Sequence, residues 1–275
     1  MLMLIAPMIL AQQETDFLFQ EDSYITYPIE DNILFEGQIA PNYPVANLKT
    51  RSGSAGLAVV ITPKMILKMY RTQSNPVKTP SYMPRITFQG FVKGEGFDIY
   101  PYVMLSHHSN GQGGPTFLEE YVLDEENLTE VPKLNTESGS FSTNFIRSGY
   151  YFSLKSFPKQ YVGLSYEHHP VHGWWFSIDP LIKDIYGRKR LIYEYRYLSK
   201  LVEVELAHTR IFDKSEDTRD ITTGTIKLKM PMFKIPVWLF ASYYQGQDYY
   251  NIYFQNNVHR FKMGLSVQTS LAINP

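Results

Sequence analysis

The chain has 275 residues with 26 basic and 27 acidic side chains, a net charge of −1, and no basic block that would suit a nucleic acid. Cysteine is absent, which excludes disulfides, a thiol nucleophile and a thiolate metal site. Hydrophobic residues make up 44%, and aromatic residues reach 15%, with 21 Tyr and 17 Phe, a bias that suits rings placed where apolar and wet surroundings meet.

In chain order, residues 1–11 (MLMLIAPMILA) come first and form the longest apolar run. A membrane helix needs about 20 residues, so this run is too short to be one. Its small-residue end at Ala11 fits a secretory signal, although no basic residue precedes it. A polar segment over 12–31 and a single barrel domain over 32–275 are expected to follow. No other stretch reads as a membrane helix, so residence in a membrane would have to be as a barrel.

Alternation places strands at 33–40, 52–61, 65–71, 84–92, 97–107, 144–155, 161–169, 190–198, 202–212, 223–232, 237–244 and 258–270. These are twelve, an even count such as single-chain outer-membrane barrels have. Within 97–109 one face reads Phe97, Ile99, Pro101, Val103, Leu105, His107, Ser109, and the other Asp98, Tyr100, Tyr102, Met104, Ser106, His108. Ile146, Tyr150, Phe152 and Leu154 likewise oppose Arg147, Tyr151, Ser153 and Lys155. A soluble β-sandwich also alternates. Strand lengths near the about 9–11 residues of a tilted membrane strand, and connections that alternate short (231–236) and long (110–143), favour the barrel. The predicted fold is therefore all-β, a twelve-stranded antiparallel transmembrane β-barrel. Glu194, Arg196, Glu203, Glu205, Lys227 and Lys229 would face its interior as a charge network.

The segment Leu105-Ser106-His107-His108-Ser109-Asn110-Gly111-Gln112 carries the chemistry. His107 and Ser109 stand two apart on a strand, so both emerge on one face. An imidazole that accepts the serine proton activates a weak nucleophile, and a third group must fix its tautomer. Both residues end the apolar row, where polar groups are costly and therefore suspect as functional. Taken alone, His-x-Ser is also met as an ordinary strand end. Further on, His168, His169 and His172 leave a metal open, and Trp174-Trp175 reads as an interface anchor.

The run His107-His108-Ser109-Asn110-Gly111, with Asn144 opening the next strand in Thr143-Asn144-Phe145-Ile146-Arg147, resembles the outer-membrane phospholipase A family. Ser74-Asn75-Pro76 with Tyr82-Met83-Pro84, and Trp238–Val267, resemble it more weakly. The resemblance implies a calcium-dependent enzyme of the outer membrane that cleaves acyl esters of phospholipids and lysophospholipids at sn-1 and sn-2. It implies Ser109 as nucleophile, His107 as base, Asn144 as orienting residue and the Gly111 N–H as oxyanion donor. It further implies a homodimer with calcium ligands at Gln112 (carbonyl) and Ser140 of one chain and Ser74 of the other. Gln112 stands where the family usually has Arg. The stretch from Ser109 to Asn144 is longer than the family norm, which leaves Ser138 and Ser142 as competitors to Ser140, and its acidic 113–139 portion reads as a solvated surface loop, or as one that attracts calcium or shapes a lid. Rival readings are a lipid A deacylase, whose third residue is Glu, a catalytically silent barrel or channel, and a soluble β-sandwich esterase.

Overall fold

The computed structural model describes residues 21–28, 32–74, 76–118, 133–171, 178, 182–233 and 235–268. The expected signal at 1–11, most of the polar segment, the acidic stretch 119–132, His172, Trp174 and Trp175 lie outside these residues.

The strands are β1 (Ser23–Pro28), β2 (Ile33–Ile39), β3 (Tyr43–Lys49), β4 (Ala55–Tyr70), β5 (Ser81–Lys93), β6 (Phe97–Ser109) and β7 (Ser142–Leu154). They continue as β8 (Gln160–His168), β9 (Tyr186–Leu198), β10 (Val202–Lys214), β11 (Ile221–Lys229), β12 (Val237–Gln247) and β13 (Asn257–Val267). Neighbours in sequence pair antiparallel from β4 to β13, and β1 closes the sheet by pairing with both β13 and β2. β2 and β3 lie end to end along β4, its Met65–Tyr70 half taking β2 and its Gly56–Ile61 half taking β3. They act as one stave, and the result is a closed barrel of twelve.

The expected count is met, but its membership changes, and β3 is a strand where none was expected. Stretches 52–61 and 65–71 are one strand, β4, that runs through Pro63. Pro63 faces Pro84 on β5, and on its other side the ladder is interrupted between Ile39↔Met65 and Tyr43↔Ile61, so no partner there requires its missing N–H. β1 lies inside the segment expected to be polar and outside the barrel; Ser23-Tyr-Ile-Thr-Tyr-Pro alternates, but acidic neighbours mask it.

Side-chain parity sorts the wall into two surfaces. Outward residues such as Ile86, Phe88, Val103, Ile146, Tyr150, Leu206, Ile226 and Leu265 are exposed and apolar, the inverse of a soluble protein's surface and the band a barrel presents to hydrocarbon. Many inward residues are buried. Ala58, Phe91, Tyr100, Tyr102, Met104 and Tyr151 form one apolar cluster, and charges fill much of the rest. Lys227 pairs with Asp22, Glu203 and Glu205 at 3.1, 3.3 and 3.6 Å, and Arg196 with Glu194 at 3.3 Å, which bears out five of the six residues expected in the charge network. Lys229 departs from it: its ammonium lies over the Trp238 ring, 6.0 Å from the centroid.

A second network, not foreseen, centres on Glu36. It accepts from Lys262 Nζ at 2.7 Å, from Tyr24 Oη at 2.7 Å and from Tyr249 Oη, with Lys68 Nζ at 3.8 Å. Asp248 accepts two bonds from Arg260, at 3.1 and 2.9 Å. Removing one member of a buried ion cluster strands the others without solvent, so Glu36→Ala is expected to cost about 3–5 kcal/mol. Chemical unfolding in detergent would read this. Lys183→Ala, at a solvent-exposed 3.9 Å pair with Asp184, should change the midpoint little.

The connections differ between the two ends. Those at 50–54, 94–96, 155–159, 199–201 and 230–236 are short and share their end with the start of β1 and the end of β13. At the other end, Leu134, Phe141, Ile178, Ile182, Ile252 and Phe254 pack with Tyr186 as a small apolar core over the mouth. That core carries the loop from which the candidate site is built.

Candidate active site

β6 and β7 pair without a break from Phe97↔Leu154 to Ser109↔Ser142, and this register sets His107 directly opposite Asn144. From Tyr100 onward burial along β6 alternates: Tyr100, Tyr102, Met104, Ser106 and His108 are buried inside, while His107 and Ser109 share the outer face with Pro101, Val103 and Leu105. On β7, Thr143 is buried, and Asn144 shares the outer face with Ile146, Ser148 and Tyr150. The three expected catalytic side chains thus stand on adjoining strands, on the apolar exterior.

Asn144 Oδ1 lies 2.8 Å from His107 Nδ1. An amide oxygen can only accept, so Nδ1 carries the proton and donates. Nε2 then keeps its lone pair, the tautomer a general base requires.

The Asn144 side of this pair is backed from the interior. Behind Asn144, the Thr143 hydroxyl and His169 Nδ1 are 2.7 Å apart, and His169 Nε2–H donates to Glu167 at 3.0 Å. Burial pushes the His169 pKa down to about 4, so the ring is neutral and its Nδ1 accepts the Thr143 proton. Arg147 holds Glu167 through two bonds of 2.9 and 2.6 Å. Beside His107, β5 and β6 pair at Tyr82↔Ser109 and again at Arg85↔Ser106; Pro84, which has no N–H, occupies the gap opposite His107. His168 and His169 point to opposite faces, His168 stacking on Tyr166 (6.4 Å) outside, so the two cannot share one metal.

Immediately after β6 the chain turns through Gly111, whose φ of +68° belongs to the left-handed region that glycine tolerates. Its ideal Cβ position lies 3.3 Å from Tyr82 Cε2, so a side chain there would meet that ring. Tyr82 is directly across from Ser109 on the outer face and walls the nucleophile on the β5 side. No role was expected for Tyr82; an aromatic residue at a strand start has too many structural uses to stand out in a sequence.

The expected calcium ligands are divided. Gln112 and Ser140 are on two arms of one loop: Gln112 Nε2 donates to the Glu137 carbonyl at 2.9 Å, and the Ser140 N–H to the Gly114 carbonyl at 3.0 Å. Ser74 is exposed in the connection between β4 and β5, at φ +68°. Ser138 is committed elsewhere, accepting from Asn135 Nδ2 at 3.0 Å, and Ser142 lies within β7 opposite Ser109. Among the described residues no group of three or more acidic or imidazole side chains is arranged for a metal, so a cation here would rest on neutral oxygens, which calcium accepts. A backbone carbonyl and a hydroxyl on one loop fit part of such a shell.

No family model matches the chain, and no curated protein matches it. Solved structures do. Outer membrane phospholipase A from Escherichia coli superposes with a TM-score of 0.59 at 15% identity, covering 95% of this chain and 96% of that one. The dimer of outer membrane phospholipase from Salmonella typhi with bound calcium superposes with a TM-score of 0.59 at 14% identity, covering 94% and 95%. The fold of this chain is that of outer-membrane phospholipase A.

Proposed function

We propose that the chain is an outer-membrane phospholipase that hydrolyses acyl esters of phospholipids and lysophospholipids, with Ser109 as nucleophile, His107 as general base and acid, and Asn144 as the residue that orients His107. The observation that carries this is the 2.8 Å bond between Asn144 and His107 on the apolar outer face, two residues from Ser109. A lumenal site would serve water-borne substrates. A site on the hydrocarbon-facing wall suits a substrate that never leaves the bilayer.

Ser109 Oγ attacks the ester carbonyl while His107 Nε2 takes its proton. The tetrahedral oxyanion is met by the Gly111 N–H. Collapse expels the lyso-lipid or glycerol oxygen, protonated by His107, and leaves an acyl-serine. Water, deprotonated by the same Nε2, cleaves that ester, releases the fatty acid and restores Ser109. Asn144 keeps Nδ1 donating throughout; being neutral, it stabilises the imidazolium less than a carboxylate would. The acyl chain lies along the outer apolar rows, beside Ile86, Leu105 and Ile146. The site sits at the end with the longer connections, which supports an outer-leaflet location, since outer-membrane barrels carry their longer loops on the outside.

Gln112 (carbonyl) and Ser140 of one chain, with Ser74 of a second copy, would hold calcium, so the active form is a homodimer. When bound, the ion supplies positive charge beside the ester oxygen. Chelation by EGTA is expected to slow ester hydrolysis by about 10²-fold, the scale of losing one oxyanion stabiliser, with recovery on adding calcium. A rate indifferent to chelator would remove calcium from the scheme and leave Ser109 and His107 in place. The core reading is tested by release of fatty acid from phosphatidylethanolamine in detergent.

A further inference from the structure

Asn110 lies between the nucleophile and the oxyanion donor, yet the reaction above gives it no task. It is 1% exposed, and its amide is used at all four positions. Nδ2 donates to Gln112 Oε1 at 2.9 Å and to the Gly139 carbonyl at 2.8 Å. Oδ1 accepts from the Gln112 N–H at 3.2 Å and from the Phe141 N–H at 3.0 Å. Its own N–H donates to the Phe141 carbonyl at 3.2 Å.

The bond from Gln112 N–H to Oδ1 is an Asx-turn that bridges Gly111 and holds its left-handed peptide in one course. The bonds to Gly139 and Phe141 tie that turn to the opposite arm of the loop, where Ser140 stands between them. From there the chain runs directly into β7 and Asn144. One side chain therefore grips both arms.

We infer that Asn110 is a second positioning residue of this site, beside Asn144: it holds the Gly111 N–H at the oxyanion position and locks the 111–112 and 139–141 arms to each other. This rests on the hydrolase reading for its catalytic consequence, not for its geometry. No other side chain of this size supplies two donors and two acceptors. Asp keeps the two N–H acceptor bonds and loses both donor bonds; Ala loses all four.

The test pairs hydrogen exchange with kinetics on the full chain in detergent. In Asn110→Ala, peptides covering 110–114 and 137–141 should both exchange about tenfold faster or more, while peptides from 97–106 stay unchanged. For hydrolysis, kcat should fall by about 10²-fold, as for loss of an oxyanion donor, with KM within about twofold. Asn110→Asp should be intermediate in both measurements. Unchanged exchange on either arm overturns the inference, and so does faster exchange with wild-type kcat. A kcat that falls only in step with the unfolding midpoint also overturns it, since that would be a merely structural role. If the wild type hydrolyses no ester, the functional proposal fails, and exchange still decides whether Asn110 locks the two arms.

Discussion

Ser109→Ala is expected to lower ester hydrolysis by about 10⁴- to 10⁶-fold, the range seen when a serine nucleophile is removed from a hydrolase that depends on it. The side chain lost is one hydroxyl on the outer face at the end of β6, and the backbone pairing Ser109↔Ser142 does not involve it. Stability should therefore shift by no more than about 0.5 kcal/mol. The barrel should keep its heat-dependent migration on gels, so lost activity cannot be charged to lost folding. Initial rates of fatty-acid release from a phospholipid, wild type against variant, make the measurement. Equal rates would eliminate the nucleophile assignment and favour the catalytically silent reading of the same barrel.

Much of the site was legible because a strand repeats every two residues. Parity alone puts His107 and Ser109 on one face of β6 and Asn144 on the matching face of β7, and a register error of one residue would have buried Asn144 in the lumen. The barrel was legible for the same reason, although the strand count agreed through offsetting errors. The gap at 62–64 divides what is one strand, and neither β1 nor β3 has a counterpart among the expected strands. What could not be seen depends on contacts between distant segments. Glu36, Lys68, Asp248 and Lys262 meet only when the sheet closes. Asn110 was visible within the run Ser109-Asn110-Gly111. Its task was not, because Gly139 and Phe141 return to it across a loop whose path no periodicity encodes.

His107→Ala is expected to cost about 10⁴-fold, close to the loss from removing the nucleophile, because an alcohol oxygen without a base is too weak to attack an ester. The two residues act as a unit, so the double variant with Ser109→Ala should be no slower than the slower single variant within a factor of a few. Asn144→Ala should fall well short of both, about 10²-fold. It removes the partner that selects the Nδ1–H tautomer but leaves imidazole and hydroxyl in place. This order, with His107 near Ser109 and Asn144 milder, follows from the 2.8 Å bond through which Asn144 acts on the ring. An Asn144→Ala loss as large as that of His107→Ala would mean that the amide does more than orient. Multiplicative losses in the double variant would mean that His107 and Ser109 contribute separately, and the shared proton transfer would have to be given up.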